Sequence, residues 1–302
     1  MEYILLGYGV NRKRSKHLGE QVVVEEDPNA PVKLDENYES FLDISWQKKI
    51  EKPLLDLSFF GENIESNIFF DINAGTIYNL NEKQLELIDA DTGQLSEVFE
   101  LETDRIISGV SVGYNSFFYV DADGIVYAHD ANSGDLKWKK ELEDVVLSKI
   151  LITSTQAFLQ TSSDVLYGMD LQTGETKWQK QAQAPLLSIR GTASPIIYEG
   201  LIFTSFSNGR LAAVRAVDGI QLWEKPISRL KGSTELEKLM DGDSNAITIN
   251  EEVFVANYNG SLTRFNIRSG DKVFSVDHST SKPILFNKGK ILSINTDEEI
   301  IG

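Results

Sequence analysis

The sequence contains no cysteine, which excludes disulfides, thiolate metal ligands and cysteine nucleophiles. It is also poor in basic residues: 29 lysines and arginines stand against 46 aspartates and glutamates, a formal net charge of −17. Such a chain repels phosphate backbones, so nucleic acid is a poor partner. Long apolar runs are missing too, because no segment approaches the roughly 20 residues that a membrane-spanning helix needs.

Chemistry-bearing motifs are equally scarce. The three histidines, His17, His129 and His278, share no metal-binding spacing. No phosphate loop, zinc-protease motif or nucleophile elbow is present. We therefore expect no catalytic, cofactor or metal site and no small-molecule substrate. The amino terminus does not follow the signal-peptide pattern, and we expect a flexible segment over 1–40 ahead of a single domain over 41–302.

What the sequence does contain is a repeat of about 40 to 50 residues. Each copy has a turn glycine: Gly93, Gly134, Gly174, Gly219 and Gly270, spaced by 41, 40, 45 and 51 residues. Four residues after the last four of these glycines comes a large aromatic: Trp138, Trp178, Trp223 and Phe274. We interpret the tryptophans as core residues that fill gaps between repeats, since an indole offers a large flat apolar surface.

A second turn precedes each of these glycine turns. The second turns are predicted at Asn73-Ala74-Gly75, Asp123-Gly124, Ser163-Asp164, Asn208-Gly209 and Asn259-Gly260. Asn-Gly and Asp-Gly supply the positive φ angles of tight hairpins, so each repeat divides into four short antiparallel strands, A to D. Four-stranded units at this period are the blades of a β-propeller, which makes the chain all-β.

About six blades can be counted. Trp46, in DISWQKKI, is interpreted as strand D of a preceding blade, and 282–286 with 290–295 are predicted as strands A and B of a last one. The sequence stops in the third strand of that blade. Two interpretations stay open: the amino-terminal strand closes a six-bladed ring, or the sequence is a fragment of a larger propeller.

Three stretches resemble the BamB family of outer-membrane assembly lipoproteins. They are LLSIRGTASPIIYEG from Leu186, KPISRLKGSTELEKLMDGDS from Lys225 and YNGSLTRFNIRSG from Tyr258. The resemblance implies a non-enzymatic scaffold on the periplasmic face of the bacterial outer membrane. Members carry a signal peptide with a lipidated cysteine and usually have eight blades. This sequence has neither, a difference that truncation at both ends is expected to explain.

Two connections between strand D of one blade and strand A of the next are long. They run from Trp178 to Pro195 and from Trp223 to about Ala246, in consecutive blades, and are therefore expected to be neighbours on one face. The resemblance implies that Leu187, Ile189, Arg190, Asp241 and Asp243 bind the periplasmic domains of the central barrel-assembly protein. Whether unfolded outer-membrane proteins also touch the propeller stays open. An alternative is internal packing, with Leu187 and Ile189 in a small satellite core and Arg190 paired with an aspartate.

Two other functions and one metal site also match parts of the sequence. Quinone-dependent dehydrogenases share the repeat, but they need a calcium ligand set and usually paired cysteines, and they are far longer. A generic peptide- or protein-binding propeller stays open. Asp241, Asp243, Asn245 and Glu252 match positions 1, 3, 5 and 12 of a calcium loop. Ala246, however, occupies the position where that loop needs glycine, and 246–250 is predicted as a strand.

Overall fold

The computed structural model describes residues 3–10, 42–50, 70–81, 83–182, 193–228, 244–280, 282–295 and 300–301. Within these ranges the chain forms strands β1 to β25 and no helix. Twenty of the strands build five consecutive four-stranded antiparallel sheets, blades 1 to 5, each with strands A to D in chain order. The all-β prediction and the four-stranded repeat are confirmed.

The bounds of the strands follow the repeat. Blade 1 consists of β3 (Phe70–Asn73), β4 (Thr76–Asn81), β5 (Gln84–Asp89) and β6 (Leu95–Glu100). Blade 2 consists of β7 (Ser111–Gly113), β8 (Ser116–Val120), β9 (Ile125–Asp130) and β10 (Leu136–Glu141). Blade 3 consists of β11 (Leu151–Ile152), β12 (Gln156–Gln160), β13 (Val165–Asp170) and β14 (Thr176–Gln181). Blade 4 consists of β15 (Ile196–Tyr198), β16 (Leu201–Phe206), β17 (Arg210–Arg215) and β18 (Gln221–Pro226). Blade 5 consists of β19 (Ile247–Ile249), β20 (Glu252–Val255), β21 (Ser261–Asn266) and β22 (Lys272–Asp277).

Two smaller sheets flank the five blades in the sequence. At the amino end β1 (Tyr3–Val10) pairs antiparallel with β2 (Leu42–Ile50). At the carboxyl end β23 (Leu285–Asn287), β24 (Lys290–Ile294) and β25 (Ile300–Ile301) form a three-stranded sheet. Among the described strands, β2 pairs only with β1 and β25 only with β24, so the amino-terminal strand does not complete the last sheet.

Burial differs between inner and outer strands of a blade. Strands B and C have a neighbour on each side in their own sheet, and blade 4 shows how deeply they are covered. Phe203 and Phe206 in strand B and Leu211 to Val214 in strand C have no exposed surface. Strand D forms the outer edge, and in blade 5 every residue of β22 is exposed. The core therefore lies between neighbouring blades.

Neighbouring blades are joined by the aromatic residue of strand D. Each indole N–H donates to a main-chain carbonyl in the C-to-D turn of the next blade. The pairs are Trp46 with Ala90 (2.9 Å), Trp138 with Leu171 (3.0 Å), Trp178 with Ala216 (2.9 Å) and Trp223 with Ile267 (3.0 Å). The ring also covers the turn glycine, and a Cβ built on Gly174 would lie 2.6 Å from the ring of Trp138. The predicted packing role of the tryptophans is confirmed, and Trp46 makes the contact expected of a strand D.

A β-bulge in strand D of each blade helps to aim the aromatic residue. The unpaired extra residue is Ser96, Lys137, Lys177, Leu222 or Val273, and in blades 2 to 5 it directly precedes the aromatic. Bulges bend and twist a strand and redirect the side chains beside them. In two blades the bulged lysine also holds the turn aspartate, with Lys137 Nζ 3.1 Å from Asp130 and Lys177 Nζ 2.9 Å from Asp170.

One predicted turn belongs to a different hairpin. In blade 1, Asn73-Ala74-Gly75 connects strands A and B, whereas the B-to-C reversal falls between Asn81 and Gln84. Ala74 and Gly75 do have the expected positive φ angles, 49° and 82°. The predicted strand reversal is therefore confirmed, and in blade 1 it is the A-to-B hairpin. In blades 2 to 5 the predicted second turns are the B-to-C hairpins.

Candidate partner-binding face

One face of the propeller carries all the B-to-C turns and the connections that lead from strand D to the next strand A. Two of these connections are long, as the sequence indicates. The first long connection, 182–195, joins β14 to β15, and the second, 227–246, joins β18 to β19. The predicted binding residues Leu187, Ile189, Arg190, Asp241 and Asp243 lie outside the described residues, as does the helical turn expected at Leu236 and Leu239. The described residues define the ends of both connections and the B-to-C turns beside those ends.

Each long connection begins at the B-to-C turn of its own blade. The main-chain N–H of Ala182 donates to the carbonyl of Asp164 at 3.0 Å. In the next blade the N–H of Ile227 donates to the carbonyl of Gly209, also at 3.0 Å. Both connections therefore leave the sheet at equivalent points.

The carboxyl ends of the two connections are bonded to each other. The main-chain N–H of Ser194 donates to Oδ1 of Asn245 at 2.7 Å. Ser194 Oγ in turn accepts the main-chain N–H of Lys149, at the end of the preceding connection, at 3.0 Å. Three consecutive connections are thus linked in series, and the prediction that the two long ones are neighbours on one face is confirmed at their carboxyl ends.

A buried polar network forms the base between blades 3 and 4. Asp164, which is 4% exposed, accepts hydrogen bonds from the N–H of Ser207 at 3.1 Å, from the Ser207 hydroxyl and from Gln160 Nε2 at 3.2 Å. Burial raises the pKa of the Asp164 carboxyl, although these donors oppose the shift. Gln160 also donates to the carbonyl of Ser205 at 3.0 Å and accepts from the Thr204 hydroxyl. The B-to-C turns of the two blades are therefore fixed relative to each other.

A second network lies at the start of the second long connection. Ser228 Oγ donates to Oδ1 of the fully buried Asn257 at 2.6 Å, and the N–H of Ser261 donates to the same oxygen at 3.2 Å. Gly260 is required here, because a Cβ on it would lie 2.1 Å from that oxygen. Thr263 Oγ1 donates to the carbonyl of Ile227 at 2.8 Å. The connection thus starts from a rigid surface.

Two further sets of ionisable side chains, one exposed on this face and one buried beside blade 2, have internal partners. The exposed Arg105 pairs with Asp123 at 2.7 Å. Buried His129 lies 3.1 Å from Glu102 Oε2, and Tyr119 OH donates to the same oxygen at 2.5 Å. Burial, followed by the Glu102 carboxylate, raises the pKa of Tyr119. His129 also stacks on Phe117 at 4.7 Å, a packing role that agrees with its predicted place in strand C.

Two of the four residues of the calcium-loop alternative, Asn245 and Glu252, lie in the described part of the chain, and both have other partners. Asn245 Oδ1 is used by Ser194, and Glu252 pairs with Arg264 at 3.3 Å from within β20. No group of three or more histidine, aspartate or glutamate side chains suited to a metal occurs among the described residues. Ala246 is followed by strand β19, as predicted.

Two residues of this face were missed as partners by sequence reasoning. Ser194 was not singled out, and Asn245 was considered only as a calcium ligand. The available signal was their shared position, two residues before strand A, at the end of a long connection.

The blades and their elaborated loop face define a β-propeller of the quinoprotein-like repeat class. A family model described as outer membrane protein assembly factor BamB matches residues 81–302. The chain belongs to this family, whose members are named for a role in outer membrane protein assembly.

Individual relatives agree with this assignment. BamB of Yersinia pestis is 27% identical over 227 residues, covering 72% of this chain and 58% of that protein. BamB of Escherichia coli K12 is 32% identical over 203 residues, covering 67% and 52%. This chain thus spans between about half and three-fifths of the length of these curated relatives.

Solved structures share the fold. The crystal structure of BamB from Moraxella catarrhalis superimposes with a TM-score of 0.70 at 22% identity, covering 78% of this chain and 72% of that one. A europium-containing methanol dehydrogenase gives a TM-score of 0.55 at 13% identity, covering 68% and 50%, and is related in fold alone. Within the described residues no helix is long and apolar enough to cross a membrane.

Proposed function

We propose that this chain is a non-enzymatic scaffold of the outer-membrane β-barrel assembly machinery and acts on the periplasmic face of that membrane. In this proposal the two long connections together bind the periplasmic domains of the central assembly protein. Family membership supports the assembly role. The observation that carries the binding surface is the hydrogen bond between Ser194 and Asn245, since it brings the ends of both connections together.

The chemistry of the five proposed contact residues suits a protein partner. Leu187 and Ile189 are apolar anchors, and the adjacent Arg190 is a planar donor that can hold a carboxylate with two hydrogen bonds. Asp241 and Asp243 provide carboxylates for basic groups of the partner. Binding surfaces commonly combine an apolar centre with charged groups at the edge, which is the combination that these two segments offer.

The opposite face has shorter and more uniform turns, which are less suited to specific recognition. Its A-to-B hairpins are tight, with reversals such as Tyr114-Asn115, Glu199-Gly200 and Asn250-Glu251. In blades 1, 2, 3 and 5 its C-to-D turns repeat one hydrogen-bonding pattern, in which a turn aspartate or asparagine accepts main-chain N–H groups two and three residues ahead. Loops that differ between blades are concentrated on the face with the long connections.

The proposal is tested by substituting the predicted contacts and titrating the purified periplasmic region of the central assembly protein. Arg190→Ala, and separately Asp241→Ala with Asp243→Ala, should each weaken binding at least about tenfold, the loss typical of a central interface residue. Arg105→Ala is the matched control, because Arg105 is a paired, exposed arginine on the same face but away from the long connections. It should leave the affinity unchanged.

Calorimetric titration gives the affinity, and thermal unfolding followed by circular dichroism gives the stability of each variant. The melting temperature should hardly change, since the substituted side chains serve the partner. Unchanged affinity in both sets of variants would overturn the proposal. A fall in melting temperature as large as that of a core substitution, with normal affinity, would assign these residues to internal packing.

A further inference from the structure

We infer that Ser194 and Asn245 are positioning residues: their hydrogen bond aligns the two long connections so that these bind one partner as a single surface. The inference rests on the proposed function above. It assigns a role to residues that make no contact with the partner themselves.

Ser194 and Asn245 occupy equivalent positions in their blades. The residue two places before strand A is Gly109 in blade 2, Lys149 in blade 3, Ser194 in blade 4, Asn245 in blade 5 and Pro283 in the last sheet. Only Ser194 and Asn245 have a short side chain with an oxygen acceptor. They are also the residues at the ends of the two long connections.

The side-chain oxygens of Ser194 and Asn245 accept the same kind of hydrogen bond. Each takes the main-chain N–H of the equivalent residue one blade earlier: Lys149 N–H to Ser194 Oγ at 3.0 Å and Ser194 N–H to Asn245 Oδ1 at 2.7 Å. A bond to a main-chain group fixes the path of the backbone as well as a side chain. The ends of the connections are thus held in a defined order around the propeller.

The hydrogen bond between Ser194 and Asn245 is not needed to hold the blades together. Blades 3, 4 and 5 are already joined by Trp178 with Ala216, by Trp223 with Ile267, and by the apolar clusters between them. A single half-buried hydrogen bond adds little to that packing. Its particular effect is on the connections, because surfaces that are aligned before binding lose less entropy when the partner arrives.

The test compares Asn245→Ala, Asn245→Asp and Ser111→Ala in titrations with the purified periplasmic region of the central assembly protein. Asn245→Ala removes the acceptor and should weaken binding about five- to tenfold, the effect of losing one hydrogen bond. Asn245→Asp keeps an oxygen at that position and should restore the affinity to within about twofold. Ser111→Ala is the matched control: Ser111 Oγ accepts the N–H of Ile150 at 2.9 Å between blades 2 and 3, and neither residue belongs to a long connection. It should not alter affinity.

A double-mutant cycle tests the alignment itself. In the wild-type background Arg190→Ala and Asp241→Ala should be non-additive, because the two connections act together. In the Asn245→Ala background their effects should become additive. The inference is overturned if Asn245→Ala binds normally, if Ser111→Ala weakens binding equally, or if the aspartate variant fails to restore affinity. If Arg190→Ala and Asp241→Ala themselves bind normally, the proposed function fails first and the inference falls with it.

Discussion

Replacing Gly270 with alanine tests whether blades pack through contact between a turn glycine and the indole of the preceding blade. Gly270 has φ +69°, and a Cβ built on it would lie 2.6 Å from the ring of Trp223. The ring has little room to retreat, because it is 7% exposed and its N–H donates to the Ile267 carbonyl at 3.0 Å. Phe203 and Phe265 lie beside it, with ring centroids at 5.9 and 6.0 Å.

The cost of this substitution has two parts. A left-handed residue with a Cβ loses about 1–2 kcal/mol, and overpacking a filled core costs about 1–3 kcal/mol more. Gly200 separates them: it has φ +76°, but nothing lies within 4 Å of its Cβ position. We therefore expect Gly200→Ala to lower the free energy of unfolding by about 1–2 kcal/mol and Gly270→Ala by about 2–5 kcal/mol. Urea unfolding followed by far-ultraviolet circular dichroism measures both.

A double-mutant cycle identifies the contact responsible. Trp223→Ala alone should cost about 3–5 kcal/mol, the range for truncating a large buried aromatic. In that background the indole is gone, so adding Gly270→Ala should cost no more than Gly200→Ala does. The reasoning is refuted if the two glycine variants are equally stable, or if Gly270→Ala costs the same with and without Trp223.

Two further predictions concern pH. Hydrogen bonding from Lys177, followed by the N–H of Gln172, lowers the pKa of Asp170 from 3.8 to about 2. The contribution of the ionised Asp170 carboxylate to stability is therefore present above pH 4 and lost as the pH falls toward 2. The urea midpoints of wild type and Asp170→Asn should converge in that pH range. Midpoints that stay apart would contradict this contribution. Burial, followed by Asp121, raises the pKa of Tyr127 from 10.0 to about 12. Between pH 10 and 12 the Tyr127 hydroxyl loses its proton in the unfolded chain before it does so in the folded chain. The free energy of unfolding should therefore fall more for wild type than for Tyr127→Phe, and equal falls would contradict the raised pKa.

Most of the fold could be predicted because each repeat contains turn residues that mark where its strands end. Trp46 was assigned to a strand D from one aromatic residue and its neighbours, and its bond to the Ala90 carbonyl confirms that assignment. The residues of the turn at Asn73 to Gly75 did not indicate which hairpin it forms, because positive φ angles serve both A-to-B and B-to-C reversals. Blade 1 also has no glycine between Asn81 and Gln84 to mark the true B-to-C turn.

The site was harder to predict than the fold. The length and order of the two connections were evident from the spacing of Trp178, Trp223 and the strands that follow. The bond that joins the connections was not, since Ser194 and Asn245 are small polar residues of ordinary type, 51 positions apart. Only the closure of neighbouring blades brings them together, and no local pattern encodes that distance.

The indole contact between blades has a direction. Every blade from 2 to 5 receives an aromatic residue on its turn glycine from the blade before it, and Trp138, Trp178 and Trp223 pass the same contact forward. Such a head-to-tail interface is not self-complementary, so one joint does not limit how many units can follow it. Three of the four joints between blades 1 to 5 consist of the same indole, carbonyl and glycine, and in the first joint Phe99 takes the place of the indole. After the duplication or deletion of a blade, the blades that become neighbours could form the same contact. Propellers of different sizes could thus arise without a new type of interface.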